Sequence, residues 1–161
     1  MATLTTTITE ALTLNGKDRG STNTLTVAGI NDIYHRIITC PGADGGISGT
    51  TLVKFSAAVN TVDGAAALDL DNVKYIRVTN LDSSNSVTLS LQISNDEDGA
   101  ADFSSSILLE AGKSFLMGTP HDGIQVSDTN ANVITTLVDL ESIIVDPAAN
   151  DVKVEVFIAS A

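Results

Sequence analysis

At 161 residues the chain fits a single domain, residues 1–161, long enough to bury about 70% of its unfolded surface. Its formal charge of −12 argues against tight binding to a phosphate backbone, so no nucleic-acid partner is expected. One cysteine excludes an intrachain disulfide and a cysteine-rich zinc cluster.

Aromatic residues make up only 4% and tryptophan is absent, so the core has to be built from Val, Ile, Leu and Ala. Abundant Thr, β-branched and polar, suits the solvent face of strands. The first ten residues lack the basic and apolar segments of a secretory signal, and no apolar run approaches the roughly 18 residues that span a bilayer. The expectation is synthesis in a reducing cytoplasm, with no membrane partner.

In chain order, Leu4, Thr6, Ile8, Leu12 and Leu14 alternate with Thr5, Thr7, Thr9 and Thr13, predicting one long or broken strand that ends at Asn15-Gly16. Asn-Gly is the preferred pair where both central residues of a turn take positive φ. Strands are predicted next over residues 22–28 and 33–39, the latter stopped at Cys40-Pro41-Gly42 because proline offers the ladder no donor. Alternation resumes over residues 52–57, 67–70 and 73–78. After the turn at residues 80–85, Val87, Leu89, Leu91 and Ile93 share one face, with Thr88, Ser90 and Gln92 on the other.

An acidic loop is predicted at residues 95–99. Strands over 106–110 and 115–117 flank Ala111-Gly112-Lys113-Ser114, which reads as a tight hairpin turn. Residues 124–126 form a short edge candidate. Apolar spacing over 133–145 partly fits a helix, but Glu141 and the β-branched run favour a strand over 140–145. Residues 147–151 then read as a hairpin turn into a last strand with Val152, Val154, Val156 and Ile158 on one face. Strands at roughly 8 to 12 residue spacing with Gly, Asn, Asp and Pro between them predict an all-β fold. The expected architecture is an antiparallel two-sheet β-sandwich of jelly-roll type with about eight to ten strands.

Little chemistry accompanies this scaffold. His35 sits in a strand pattern and His121-Asp122 follows Pro120, but no Gly-x-Ser-x-Gly identifies a nucleophile. Cys40 lies before a turn, without the cationic or helix-terminal setting that activates a thiol, and reads as semi-buried. Asp96, Glu97, Asp98 and Asp102, and the pair Asp69 and Asp71, carry oxygen donors for Ca²⁺, yet their spacing departs from the helix-loop-helix calcium pattern. Gly112-Lys113-Ser114 lacks the upstream glycine of a phosphate loop and joins two strands. The six aromatic rings, among them Tyr34, Tyr75 and Phe115, are few for a sugar cleft. The reading is therefore a non-enzyme with no catalytic residue, no cofactor-binding residue, no metal ligand and no cofactor.

Three segments carry a resemblance. Tyr75-Ile76-Arg77-Val78-Thr79-Asn80-Leu81-Asp82 precedes the alternating strand, Ile107-Leu108-Leu109-Glu110-Ala111-Gly112-Lys113-Ser114-Phe115-Leu116-Met117 joins two apolar strands, and residues 140–159 close the chain. Together they resemble the small β-sandwich virion proteins of tailed bacteriophages, especially those of marine and cyanobacterial phages. The resemblance implies a virion component made in the host cytoplasm, most simply a capsid decoration or cement protein that stabilises the head by lattice contacts. Its implied partners are the major capsid protein or other virion proteins and further copies of itself, often as a homotrimer. The alternative is a tail or fibre component with a carbohydrate- or receptor-binding role; a small hydrolase is disfavoured by the missing nucleophile. Phe55, Phe103 and Phe157 are the aromatic candidates for contact surface beyond the core.

The face assignment makes a direct prediction. Leu89→Asp or Val154→Asp is expected to cost on the order of 3 kcal/mol or more by burying an unpaired charge, while Thr88→Asp or Lys153→Asp costs far less. Chemical denaturation of the four variants checks it, and equal losses at all four positions would refute the assignment.

Overall fold

The computed structural model describes residues 1–42, 49–56, 67–93, 103–120, 123–124, 126, 134 and 136–161. Thirteen strands are present among them: β1 Ala2–Glu10, β2 Thr13–Leu14, β3 Lys17–Asp18, β4 Ser21–Ile30, β5 Asp32–Cys40, β6 Thr50–Ser56, β7 Ala67–Asp69, β8 Val73–Asn80, β9 Val87–Ile93, β10 Phe103–Leu109, β11 Ser114–Met117, β12 Leu140–Asp146 and β13 Val152–Ser160. A single 3₁₀ turn, Leu70–Asn72, joins β7 to β8, and no α-helix occurs among the described residues. The fold is all-β.

Two sheets face each other. One has the order β11-β8-β13-β5 and the other β10-β9-β12-β6-β7. Every neighbouring pair is antiparallel except β6 with β7, which run parallel. With β7 set aside, the eight sandwich strands counted from β5 to β13 lie in the orders 1-8-3-6 and 2-7-4-5. This is the double Greek key of a jelly roll.

The core follows from period-two alternation. Val152, Val154, Val156 and Ile158 of β13 point inward with Ile76 and Val78, against Val87, Leu89, Leu91, Ile143 and Val145 of the opposite sheet. All are nearly or fully excluded from solvent. Phe55 belongs to this core as well, which corrects its assignment to contact surface. In β6 the register against β12 slips between Ile143 and Ile144, leaving Leu52 as an extra residue whose side chain still turns inward. The Leu52 carbonyl accepts a hydrogen bond of 3.2 Å from the Tyr34 hydroxyl of the other sheet.

Two predicted hairpins are corrected. The turn at residues 110–113 carries the chain from β10 in one sheet to β11 in the other, and residues 147–151 carry it from β12 to β13 in the same manner. Both turns are as tight as hairpin turns, with Gly112 at φ 69° and Ala148 at φ 62°, so length and composition do not separate the two outcomes. The turn between β8 and β9 also changes sheets. Ile124 contributes only an isolated bridge to Val138, in place of the short strand expected at 124–126; residue 125 lies outside the described residues.

Pairing puts the ends of β5, β8, β10 and β12 and the starts of β6, β9, β11 and β13 at one end of the sandwich. Asn80, fully buried, sits at their meeting point. Its side-chain Nδ2 donates to the carbonyls of Asn85 (2.8 Å) and Leu109 (3.2 Å), and its Oδ1 accepts from the Asp82 N–H (3.0 Å). Its own N–H donates to the Lys113 carbonyl, and the next N–H, of Leu81, to that of Lys153. Asn80 thus ties the turn after β8 to the turn after β10, and Leu81 beside it bonds the start of β13. Asp82 holds the first of them shut by accepting from the N–H groups of Ser84 and Asn85. Those donors stabilise its charged form and hold its carboxyl below the ordinary range, the Asn85 N–H first. The β5 end joins through the Gly42 N–H, which donates to Asp151. A side chain at Gly42 would overlap the backbone of Ala149 at 2.5 Å.

Asn80→Asp keeps the shape but turns a carboxylate toward two carbonyl oxygens, and so forfeits both donations in a buried place. The expected loss is about 3 kcal/mol, a drop of roughly 10 °C in melting temperature for a domain of this size. Thermal unfolding of the variant checks this; a melting temperature within about 2 °C of the parent would contradict the role given to Asn80.

Candidate functional site

Among the described residues, 1–30 pair with neither sheet of the sandwich. Among the described residues β1 pairs only with β4, and β2 with β3 around Asn15 and Gly16, whose φ values of 53° and 72° are those of the predicted two-residue turn. The result is a two-stranded arm entering the sandwich at Ile30. Its register sorts the side chains by chemistry. Thr5, Thr7 and Thr9 lie opposite Thr26, Thr24 and Thr22 on one face, while Leu4, Thr6 and Ile8 lie opposite Val27, Leu25 and Asn23 on the other.

The arm is anchored at its base. Ile30 is buried with Tyr75 and Ala159 in a small second core, against which Leu4, Val27 and Phe157 pack. This core lies on the outer face of the β11-β8-β13-β5 sheet, opposite the sandwich core. Further along, β1 and that face enclose an open groove of about 460 Å³, lined by Leu4–Ile8 of the arm and by Tyr75, Arg77, Ser114, Leu116 and Phe157. No residue of β5 lines it.

A polar network organises this face. Glu155 Oε2 accepts from the Arg77 guanidinium at 2.6 Å, and Glu155 Oε1 lies 2.7 Å from His35 Nε2. Arg77 also donates to the Thr79 hydroxyl, which shares a 2.8 Å hydrogen bond with Ser114. The Phe157 ring meets His35 and Tyr75 edge-on, with centroids 5.7 and 6.2 Å apart, and the Arg77 guanidinium lies over it at 5.9 Å. Hydrogen bonds from Arg77 first and His35 second hold the Glu155 carboxyl below its ordinary value near 4.5. His35 and Glu155 stand 120 positions apart, so only the register Phe157↔His35 brings them together.

The arrangement orients side chains: Ser114 is hydrogen-bonded to a threonine, and His35 to a carboxylate. Cys40 is completely buried, beyond the semi-burial expected, and desolvation pushes its thiol up, offset in part by a hydrogen bond with Thr50. Asp69 caps the 3₁₀ turn, accepting from the Asp71 N–H and the Asn72 side chain. Among the described residues no three His, Cys, Asp or Glu side chains converge as a metal site. His121, Asp122, Asp96, Glu97, Asp98 and Asp102 lie outside the described residues.

What the outer surface offers is contact area. Ile37 is 62% exposed on the outer face of β5, and Ile33 is exposed beside it. Ile8 and Leu25 stand about half exposed on the apolar face of the arm, and Leu12 and Leu14 near its tip. Phe103 is exposed on β10, as its assignment to contact surface requires, whereas Phe157 is half-buried under the arm base. Compared with protein-family models, with curated proteins and with solved structures, the chain gives no match.

The depressed Glu155 carboxyl makes a pH prediction. Its contribution to stability is fully present above the unfolded carboxylate value near 4.5 and is lost as pH falls through the lower folded value. Glu155→Gln is therefore expected to cost about 1 kcal/mol at pH 7 and progressively less below pH ~4. Urea midpoints measured at pH 3 to 7 check it; a gap that widens on acidification would contradict the network.

Proposed function

We propose that the chain is a non-enzymatic structural component of a tailed-phage virion, a capsid decoration or cement protein that stabilises the head through lattice contacts. The observation that carries this reading is the nature of the exposed features. They are apolar strand faces and a projecting arm on a tightly tied jelly roll, which is what a protein needs when its ligand is another protein surface. The three sequence segments that resemble phage virion proteins supply the particular setting. Jelly rolls also serve as lectin domains, so fold analogy alone does not select the capsid.

The physics fits that role. An acidic body repels packaged nucleic acid, so contacts are confined to the protein shell. The described polar clusters satisfy one another, which suits a scaffold whose task is to hold its shape.

Mass spectrometry of purified particles of the phage encoding the chain tests the reading. The chain is expected in a fixed ratio to the major capsid protein, and heads stripped of it are expected to rupture at lower temperature. Absence from purified particles would overturn the proposal, and presence at only a few copies per particle would move the chain to the tail.

A further inference from the structure

We infer that Asn15, at the tip of the arm, is a site of spontaneous covalent modification: its side-chain amide closes onto the backbone nitrogen of Gly16, and the ring reopens in water as aspartate or isoaspartate. The inference does not depend on the virion reading.

The chemistry favours an asparagine whose amide has no competing bond and whose neighbour lacks a Cβ. The Gly16 nitrogen attacks Cγ of Asn15 and the new Cγ–N bond completes a five-membered succinimide. The Cγ–Nδ2 bond breaks, and Nδ2 leaves as ammonia with the proton that Gly16 gives up. One water then adds to either ring carbonyl. Opening at Cγ yields aspartate, and opening at the main-chain carbonyl yields isoaspartate, whose backbone runs through the side chain. Asn15-Gly16 is the one Asn-Gly pair in the chain. A Cβ built on Gly16 meets nothing within 4 Å, so the nitrogen is approached through open space.

The other described asparagines are held or followed by bulkier residues. Asn72 donates to Asp69, Asn85 to Asp82 and Asn150 to Asn85, and Asn80 is buried. Asn23 and Asn31 precede Thr24 and Asp32. The Asn15 side chain has no hydrogen-bond partner among the described residues.

The fold sets the rate. A turn of this type holds ψ of its first central residue at about 30°, whereas ring closure needs the Gly16 nitrogen swung round to face Cγ, so attack waits for the turn to open. Opening is cheap here. Only the pairs Thr13↔Asp18 and Leu14↔Lys17 and a bond from the Arg19 N–H to the Leu12 carbonyl close the tip, and all residues from Leu12 to Arg19 are exposed. Such a tip frays with little free energy. Conversion changes it in two ways. Residues 1–31 are neutral, Lys17 and Arg19 balancing Glu10 and Asp18, and become net negative. Isoaspartate also lengthens the main chain within a two-residue turn, so Leu14 and Lys17 lose their register.

The experiment incubates the purified full chain, folded and urea-unfolded side by side, at mildly alkaline pH and body temperature. Peptide mass spectrometry follows amide replaced by acid at each asparagine, and isoaspartyl methyltransferase labels the isoaspartate. Asn15 is expected to convert first among the described asparagines, within about tenfold of the unfolded rate, a factor equivalent to opening of about 1.4 kcal/mol. Gly16→Ala is expected to slow conversion several-fold, even though a side chain at φ 72° strains the turn and loosens the tip. A folded rate more than about tenfold below the unfolded one, another described asparagine converting first, or Gly16→Ala converting as fast as the parent would each overturn the inference.

Discussion

A sandwich whose chain crosses between sheets at nearly every connection has one demand to meet first. The backbone groups at those crossings leave both ladders and need partners in a place with little water. Here that demand falls on Asn80. Its amide reaches the turn after β8, the turn after β10 and, through the neighbouring Leu81 N–H, the start of β13. A hydrophobic contact could not do this, because the groups to be satisfied are carbonyls and N–H donors with fixed directions. Asp82, Asn150 and Asp151 extend the same bonding at that end.

The rest of the molecule divides its labour by charge and by face. The inner faces of both sheets are mostly aliphatic, with Phe55 among them, and seal the core. The outer face of the β11-β8-β13-β5 sheet is mixed, with Glu155, Arg77 and His35 fixing one another beside Phe157. Surface pairs of this kind add little stability, about 1 kcal/mol or less, but they hold side chains in one arrangement. The arm adds a neutral, Thr- and Leu-bearing ribbon to an acidic body. Its Thr face keeps the exposed ribbon soluble while the opposite face offers methyl groups for packing.

Much of the fold was legible in the chain because period-two alternation is a local property. The alternation over residues 87–93 delimits β9, that over 152–158 gives the faces of β13, and Asn15-Gly16 marks its turn because positive φ at both positions selects that pair. Sheet membership was not legible. Gly112 and the Pro147–Asn150 turn look the same whether the chain folds back beside itself or steps to the facing sheet, since the choice depends on which face is already buried elsewhere. The burial of Phe55 depends on the same choice. The importance of Asn80 was hidden because its partner Leu109 lies 29 positions away and an Asn before a turn is commonplace. The Glu155 network was hidden by a separation of 120 positions to His35. The alternation of Leu and Thr over residues 4–14 predicted a strand but carried no sign that it would leave the sandwich as an arm.

The tie that Asn80 makes between sheet-crossing turns is tested most directly by hydrogen exchange of backbone amides in Asn80→Asp. The account predicts faster exchange at the N–H groups of Asn80 and Asp82, whose partners the substitution disturbs, while the amides of β9 and β13 away from that end keep their slow rates. Exchange at those two positions that is unchanged from the parent would contradict it.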